Sequence, residues 1–140
     1  MSRILIMGLP GSGKTTLASA LQQRIWEGGR TCAWFNADKV REQFDDWDFS
    51  DAGRVRQSTR MKTLAENAST DYVICDFVAP TPEIREIFNA DVTIWIDTIE
   101  TGRFEDTNKA FAVPEKFDYQ VITQDAEFWS EYIWRALKEA

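Results

Sequence analysis

The sequence predicts an α/β fold: a three-layer sandwich in which a five-stranded parallel sheet carries helices on both faces. Three observations predict it. Short apolar runs alternate with helix-length amphipathic segments from one end of the chain to the other, the pattern of strands joined by helical crossovers. A glycine-rich loop, Gly8-Leu9-Pro10-Gly11-Ser12-Gly13-Lys14-Thr15, with Thr16 behind it, separates the first apolar run from the first helical pattern. The 140 residues hold no repeat, low-complexity tract or linker, so 1–140 reads as a single domain close to the commonest domain size.

The elements follow in order. Arg3-Ile4-Leu5-Ile6-Met7 is strand one, and the loop after it has every fixed position of a phosphate-binding loop filled. Gly8, Gly11 and Gly13 let successive N–H groups turn inward around a polyphosphate, Ser12 and Thr16 complete the lining, and Lys14 reaches the β and γ phosphates. The Thr15 hydroxyl is placed to ligate Mg²⁺, and the positive end of the helix dipole faces the anion. Helix one runs from about Gly13 to Trp26 with Leu17, Ala20, Leu21 and Ile25 as its buried stripe, and Gly28-Gly29 ends it. Strand two, Thr31 to Phe35, leads into Asn36-Ala37-Asp38-Lys39-Val40-Arg41, a polar turn that opens a short helix. Ligands of open parallel sheets sit beyond the carboxyl ends of the strands, so Asp38 is the first candidate for a catalytic group, with Arg41 beside it.

Asp45-Asp46-Trp47-Asp48-Phe49-Ser50 is a loop dense in acids and aromatics, and Ser50 is an N-cap for a helix over Asp51 to Asn67. Met61, Leu64, Ala65 and Ala68 give that helix an apolar side, whereas Arg54, Arg56, Arg60 and Lys62 make it the most basic part of the chain. Arg56 and Lys62 read equally well as a solvated face. Strand three, Tyr72 to Phe77, contains Asp76, a carboxylate placed to orient the Mg²⁺ water shell or the acceptor hydroxyl. Thr81-Pro82-Glu83 opens a helix ending near Asn89, by its cap residue, first-turn proline and first-turn acid. Strand four spans Val92 to Asp97, a short lid lies near 98–111 with Arg103 as its candidate cation, strand five spans Tyr119 to Ile122, and Glu127 to Lys138 is a closing helix. Phe128, Trp129, Tyr132, Ile133, Ala136 and Leu137 on that helix read as core.

Composition narrows the class. Hydrophobic residues at 44% and charged ones at 28% suit a soluble domain, and no run approaches the roughly 20 apolar residues of a membrane span. The N-terminus enters strand one without a signal peptide, so a cytoplasmic location with no membrane partner is expected. Cys32 and Cys75 lie in apolar strands and read as buried thiols. The absence of histidine removes imidazole bases and a zinc site. A net charge of −7 disfavours a nucleic-acid partner and favours a small nucleotide acceptor; a homodimer is compatible with the sequence.

Most of the chain resembles the adenylylsulfate kinases, P-loop enzymes that phosphorylate the 3′-hydroxyl of adenosine 5′-phosphosulfate. The resemblance lies in Gly8 to Ala18, in Asp38, Val40 and Arg41 against the family's Asp-Asn-Val-Arg, and in Phe49-Ser50 against its Gly-Phe-Ser. It continues in Arg54-Val55 and Arg60, in Phe77-Val78-Ala79-Pro80 against Phe-Ile-Ser-Pro, and in Phe111 to Glu115 against Tyr-Glu-x-Pro-Glu. It implies a P-loop kinase fold, ATP as donor and Mg²⁺ as cofactor. It also implies arginines at 54 and 60 that hold the acceptor nucleotide, and stacking of Phe77 on the acceptor's adenine. The family's Lys-Gly-Leu-Tyr lid motif is missing, the serine of its Ile-Ser-Pro is Ala79, and Asp76 stands where the family has a small neutral residue. Polynucleotide 5′-hydroxyl kinases are a second resemblance, through Asn36, Asp38 and Arg41 as Asn-x-Asp-x-x-Arg and through Asp76. Kinases of hydroxymethylpyrimidines in DNA are related to these. Both resemblances imply Asp38 as general base, and the second implies Arg41 on the acceptor's phosphate. A nucleotide-dependent switch or binding module also uses such a loop, but its switch motifs are not evident.

Overall fold

The computed structural model describes residues 1–101 and 110–139. Among them the strands are β1 (Ser2–Gly8), β2 (Cys32–Asn36), β3 (Tyr72–Asp76), β4 (Val92–Ile96) and β5 (Tyr119–Val121). All pairings are parallel, in the order β2-β3-β1-β4-β5. The helices are α1 (Lys14–Glu27), α2 (Ala37–Phe44), α3 (Asp51–Asn67), α4 (Pro82–Phe88) and α5 (Ala126–Glu139). The predicted three-layer α/β fold is therefore the fold observed.

β1 is central, and its side chains alternate between two cores. Ile4 and Ile6 join Leu17, Leu21 and Ile25 of α1 and Ile133 of α5 on one face. Leu5 and Met7 join Val40, Met61 and Ala65 under α2 and α3, and Ile84 and Phe88 of α4, on the other. A strand buried on both faces reads as the continuous apolar run seen in the sequence. Each fully buried aliphatic chain contributes about 1.5–3 kcal/mol, so the sheet's two faces anchor the carboxyl ends where the loops gather.

Local signals place the helix starts. Asn36 caps α2 by accepting from Lys39 N, Ser50 caps α3 by accepting from Gly53 N, and Thr81 caps α4 by accepting from Ile84 N, with Pro82 in its first turn. Two stripes differ from expectation. On α1 the buried small residue is Ala18, and Ala20 is only half-buried. On α5 the buried positions are Ser130, Ile133, Trp134 and Leu137, while Phe128 and Tyr132 are 54% and 53% exposed and so are not core. The i, i+3, i+4, i+7 set that faces α1 runs through Ser130, whose hydroxyl accepts from Arg24, and this turns Phe128 and Tyr132 to the flank. Trp134 fits because Gly28 has no side chain: a Cβ there would lie 2.6 Å from its ring. Cys32 and Cys75 are free and buried. Among the described residues no helix is long and apolar enough to cross a membrane.

Candidate functional site

The phosphate loop joins β1 to α1. Gly13, at φ 106°, precedes the first residue of α1 in the left-handed region, a conformation that aims the first N–H groups of the helix into the loop. Gly8 passes so close to β4 that a Cβ would lie 2.7 Å from the carbonyl oxygen of Ile96. Lys14 donates from Nζ to the carbonyl of Leu9 at 3.0 Å, folded back over its own loop. Thr15 and Thr16 are exposed at the start of α1, and Ser12 is buried.

Facing the loop are the carboxyl ends of β2 and β3. Asp76 is 1% exposed and accepts from Trp34 Nε1 at 2.6 Å, from Asn36 Nδ2 at 3.2 Å and from Thr15 Oγ1 at 3.5 Å. Asn36 Nδ2 also donates to Thr15 Oγ1 at 3.1 Å, so one amide holds the loop threonine against the strand-three aspartate. Burial pushes the Asp76 carboxyl above the usual carboxylate range. The bonds from Trp34 and Asn36 and the charge of Lys14 oppose this, and nearby Asp38 adds to it. Asp38 lies in the first turn of α2, solvent-exposed, where the cap by Asn36 fixes the backbone.

The predicted acceptor residues divide. Arg41 is 4% exposed and donates from Nη1 to the carbonyls of Asp46 and Asp48, with its guanidinium 4.3 Å from the centre of the Phe49 ring. Burial lowers its pKa, and the Asp46 charge opposes that. Arg54 donates from Nε to Phe49 O at 2.8 Å, and Arg60 from Nη2 to Asp46 at 3.0 Å and from Nη1 to Gln57 at 2.8 Å. Phe49 is 53% exposed on this arginine cluster. Phe77 is 6% exposed and packs edge-on against Phe88, ring centres 5.3 Å apart. Arg103 lies outside the described residues.

Other groups at the site carry no motif. Thr98 donates to Ser12 O at 2.7 Å and Gln124 to the same oxygen at 3.4 Å, bracing the phosphate loop from the ends of β4 and β5. A cavity of about 150 Å³ opens beside the loop, between Gly13, Thr16, Gln124, Asp125 and Trp129. Trp34 was also missed. The signal that could have found all of these is position, since each sits on a strand or at its carboxyl end.

A family profile described as adenylylsulphate kinase matches residues 2–102, the stretch that holds the phosphate loop, Asp38, the arginine cluster, Asp76 and Phe77. The bifunctional enzyme CysN/CysC of Rhodopirellula baltica is 33% identical over 86 residues, 59% of this chain and 13% of that protein. The adenylyl-sulfate kinase of Bacillus pumilus is 30% identical over 106 residues, 74% of this chain and 50% of that protein. The chain thus matches half or less of the length of these curated relatives. Its fold is that of the Mycobacterium tuberculosis APS kinase CysC solved in complex with AMPPNP and APS, with a TM-score of 0.82 at 16% identity over 98% of this chain and 97% of that one. A matched stretch of this extent, laid over the loop and carboxylates just described, places the chain in the adenylylsulphate kinase family.

Proposed function

We propose that the chain is an adenylylsulfate kinase, an ATP- and Mg²⁺-dependent phosphotransferase acting on the 3′-hydroxyl of adenosine 5′-phosphosulfate. The observation that carries this function is the family match over 2–102, which takes in both the phosphate loop and the arginine cluster of α3. In this function the bond from the γ-phosphorus to the bridging oxygen of ATP breaks and a bond to the acceptor oxygen forms. Asp38 accepts the proton that the hydroxyl loses. Lys14 leaves Leu9 O for the β and γ phosphates, and the loop amides offset charge on the moving phosphoryl group. Arg41, Arg54 and Arg60 form the positive wall facing the acceptor's anionic group, with Phe49, half-exposed, against Arg41 and Arg54. Phe77 packs in the core against Phe88, so stacking on adenine requires its ring to turn. Arg103 is proposed as the lid cation.

Mg²⁺ fits the residues present. The Thr15 hydroxyl and the Asp76 carboxylate are hard oxygen donors 3.5 Å apart, and among the described residues no group of three His, Cys, Asp or Glu side chains converges on a metal. Mg²⁺ is characteristically held by one or two protein oxygens together with phosphates and water. When bound it neutralises phosphate charge. Asn36 and Trp34 would keep Asp76 oriented toward it.

The test is transfer of radiolabelled phosphate from Mg-ATP, with adenosine 5′-phosphosulfate and a 5′-hydroxyl oligonucleotide offered in parallel and Lys14→Ala as blank. Label on the phosphosulfate is the expected result. Label on the oligonucleotide alone would transfer the function to the polynucleotide kinases.

A further inference from the structure

The arginines of α3 reach the acceptor side already paired. Asp46 Oδ2 accepts from Arg56 Nε at 2.7 Å and Arg60 Nη2 at 3.0 Å, and its Oδ1 accepts from Arg56 Nη2 at 3.1 Å. Asp48 Oδ2 accepts from the same Arg56 nitrogen at 3.1 Å, and Asp48 N donates back to Asp46 Oδ1 at 3.2 Å. Arg41 takes the backbone carbonyls of both aspartates. Asp45, at φ 47°, reverses the chain after α2 and folds this loop onto α3. Asp46 and Arg60 are only 13% and 14% exposed at their side chains, so solvent screens their pairing weakly, whereas Arg56 at 48% is the outer member. The two arginines hold the Asp46 carboxyl far below the usual carboxylate range. Two of the arginine charges, at 56 and 60, are thus paired with the carboxylates of Asp46 and Asp48.

We propose that Asp46 is a specificity-determining residue of the acceptor site: by occupying Arg60 and Arg56 it lowers the positive charge of the wall and so discriminates against polyphosphates, the phosphoryl donor included. It rests on the acceptor function proposed above for the arginine cluster. Without the carboxylate the cluster would attract anions in proportion to their charge, and a triphosphate would compete for the acceptor's place. Asp46 is a positioning residue as well, because the oxygen that pairs with Arg60 fixes that guanidinium over the Phe44 ring at 4.3 Å.

Trp47, half-exposed and next in sequence to Asp46, is the reporter. With the phosphate loop filled by saturating Mg-ADP, its emission is titrated with adenosine 5′-monophosphate and with inorganic tripolyphosphate. Asp46→Asn is expected to tighten the monophosphate about tenfold and tripolyphosphate by a larger factor, since one unit charge at about 6 Å in water is worth roughly a factor of three for each negative charge on the ligand. Arg56→Gln, which leaves Asp46 on Arg60 alone, is expected to move both constants the opposite way, with tripolyphosphate again changing more. Thermal melts of both variants check that they are folded. Equal changes for the two ligands, or weaker binding in Asp46→Asn, overturn the proposal. The outcome separates from that of the kinase assay: charge-graded binding without phosphosulfate labelling would keep the role of Asp46 and sink the assigned reaction.

Discussion

At the scale of single residues, the site depends on groups whose environment sets their charge. Asp38 stays in water at the start of α2, while Asp76 is sealed behind Trp34 and Asn36; the exposed carboxylate suits proton acceptance and the buried one orientation. Asp38→Asn is therefore expected to lower kcat by about 10²–10⁴-fold with little change in the binding of Mg-ATP, measured by single-turnover transfer and by ATP titration. The two thiols are packed in the two cores and report on them. Burial pushes both Cys32 and Cys75 up to about 12 from the ordinary 9.0. The unfolded chain gives up its thiol protons near pH 9 and the folded chain keeps them to about 12. Their contribution is thus complete below pH 9 and is lost as pH rises toward 12. Urea unfolding at pH 8 and pH 10.5 should show a loss of stability, and part of that loss should vanish in Cys75→Ala.

At the scale of elements, α2, the following loop and α3 form one unit that presents the arginines. Gly53, in the first turn of α3, lies so close to Asp48 that an added Cβ would overlap its carbonyl oxygen. Alanine normally stabilises a helix interior by up to about 1 kcal/mol over glycine. Here Gly53→Ala is expected to destabilise by about 1–3 kcal/mol, through displacement of the Asp46–Asp48 loop, with a lower urea midpoint and blue- or red-shifted Trp47 emission. Unchanged or higher stability would mean that the loop is not packed on α3. The same packing pairs Arg56 while leaving it exposed: it is the outer half of a bridge whose inner half, Asp46 with Arg60, is nearly closed to water. Lys62, 40% exposed, pairs with Glu66 one turn on at 3.9 Å.

At the scale of the whole molecule, the parallel order β2-β3-β1-β4-β5 brings the phosphate loop, Asp38 and Asp76 to one edge, because all five strands end there. A ligand bound across that edge ties α1 to the ends of β2 and β3. Mg-ATP at a hundredfold excess over its Kd is expected to add about 2.7 kcal/mol, a rise in Tm of roughly 8 °C by differential scanning fluorimetry, absent in Lys14→Ala. The strands, helices and phosphate loop were legible because each is written locally: apolar runs, the caps Asn36, Ser50 and Thr81, and glycines at fixed spacing need no distant partner. The stripe of α5 was not legible, since three aromatics at its start compete for the core and only the seat of Trp134 against Gly28 decides the helix's rotation. The state of the arginines was equally hidden. Composition shows arginines and aspartates in neighbouring segments, and only the turn at Asp45 brings them within bonding distance. The sequence by itself determined the fold class, the nucleotide loop and the candidate base, because short-range patterns encode them. The tertiary structure alone decided which arginine is buried, which arginines Asp46 pairs with and which aromatics face water, because those depend on long-range packing and on charges brought together by the fold.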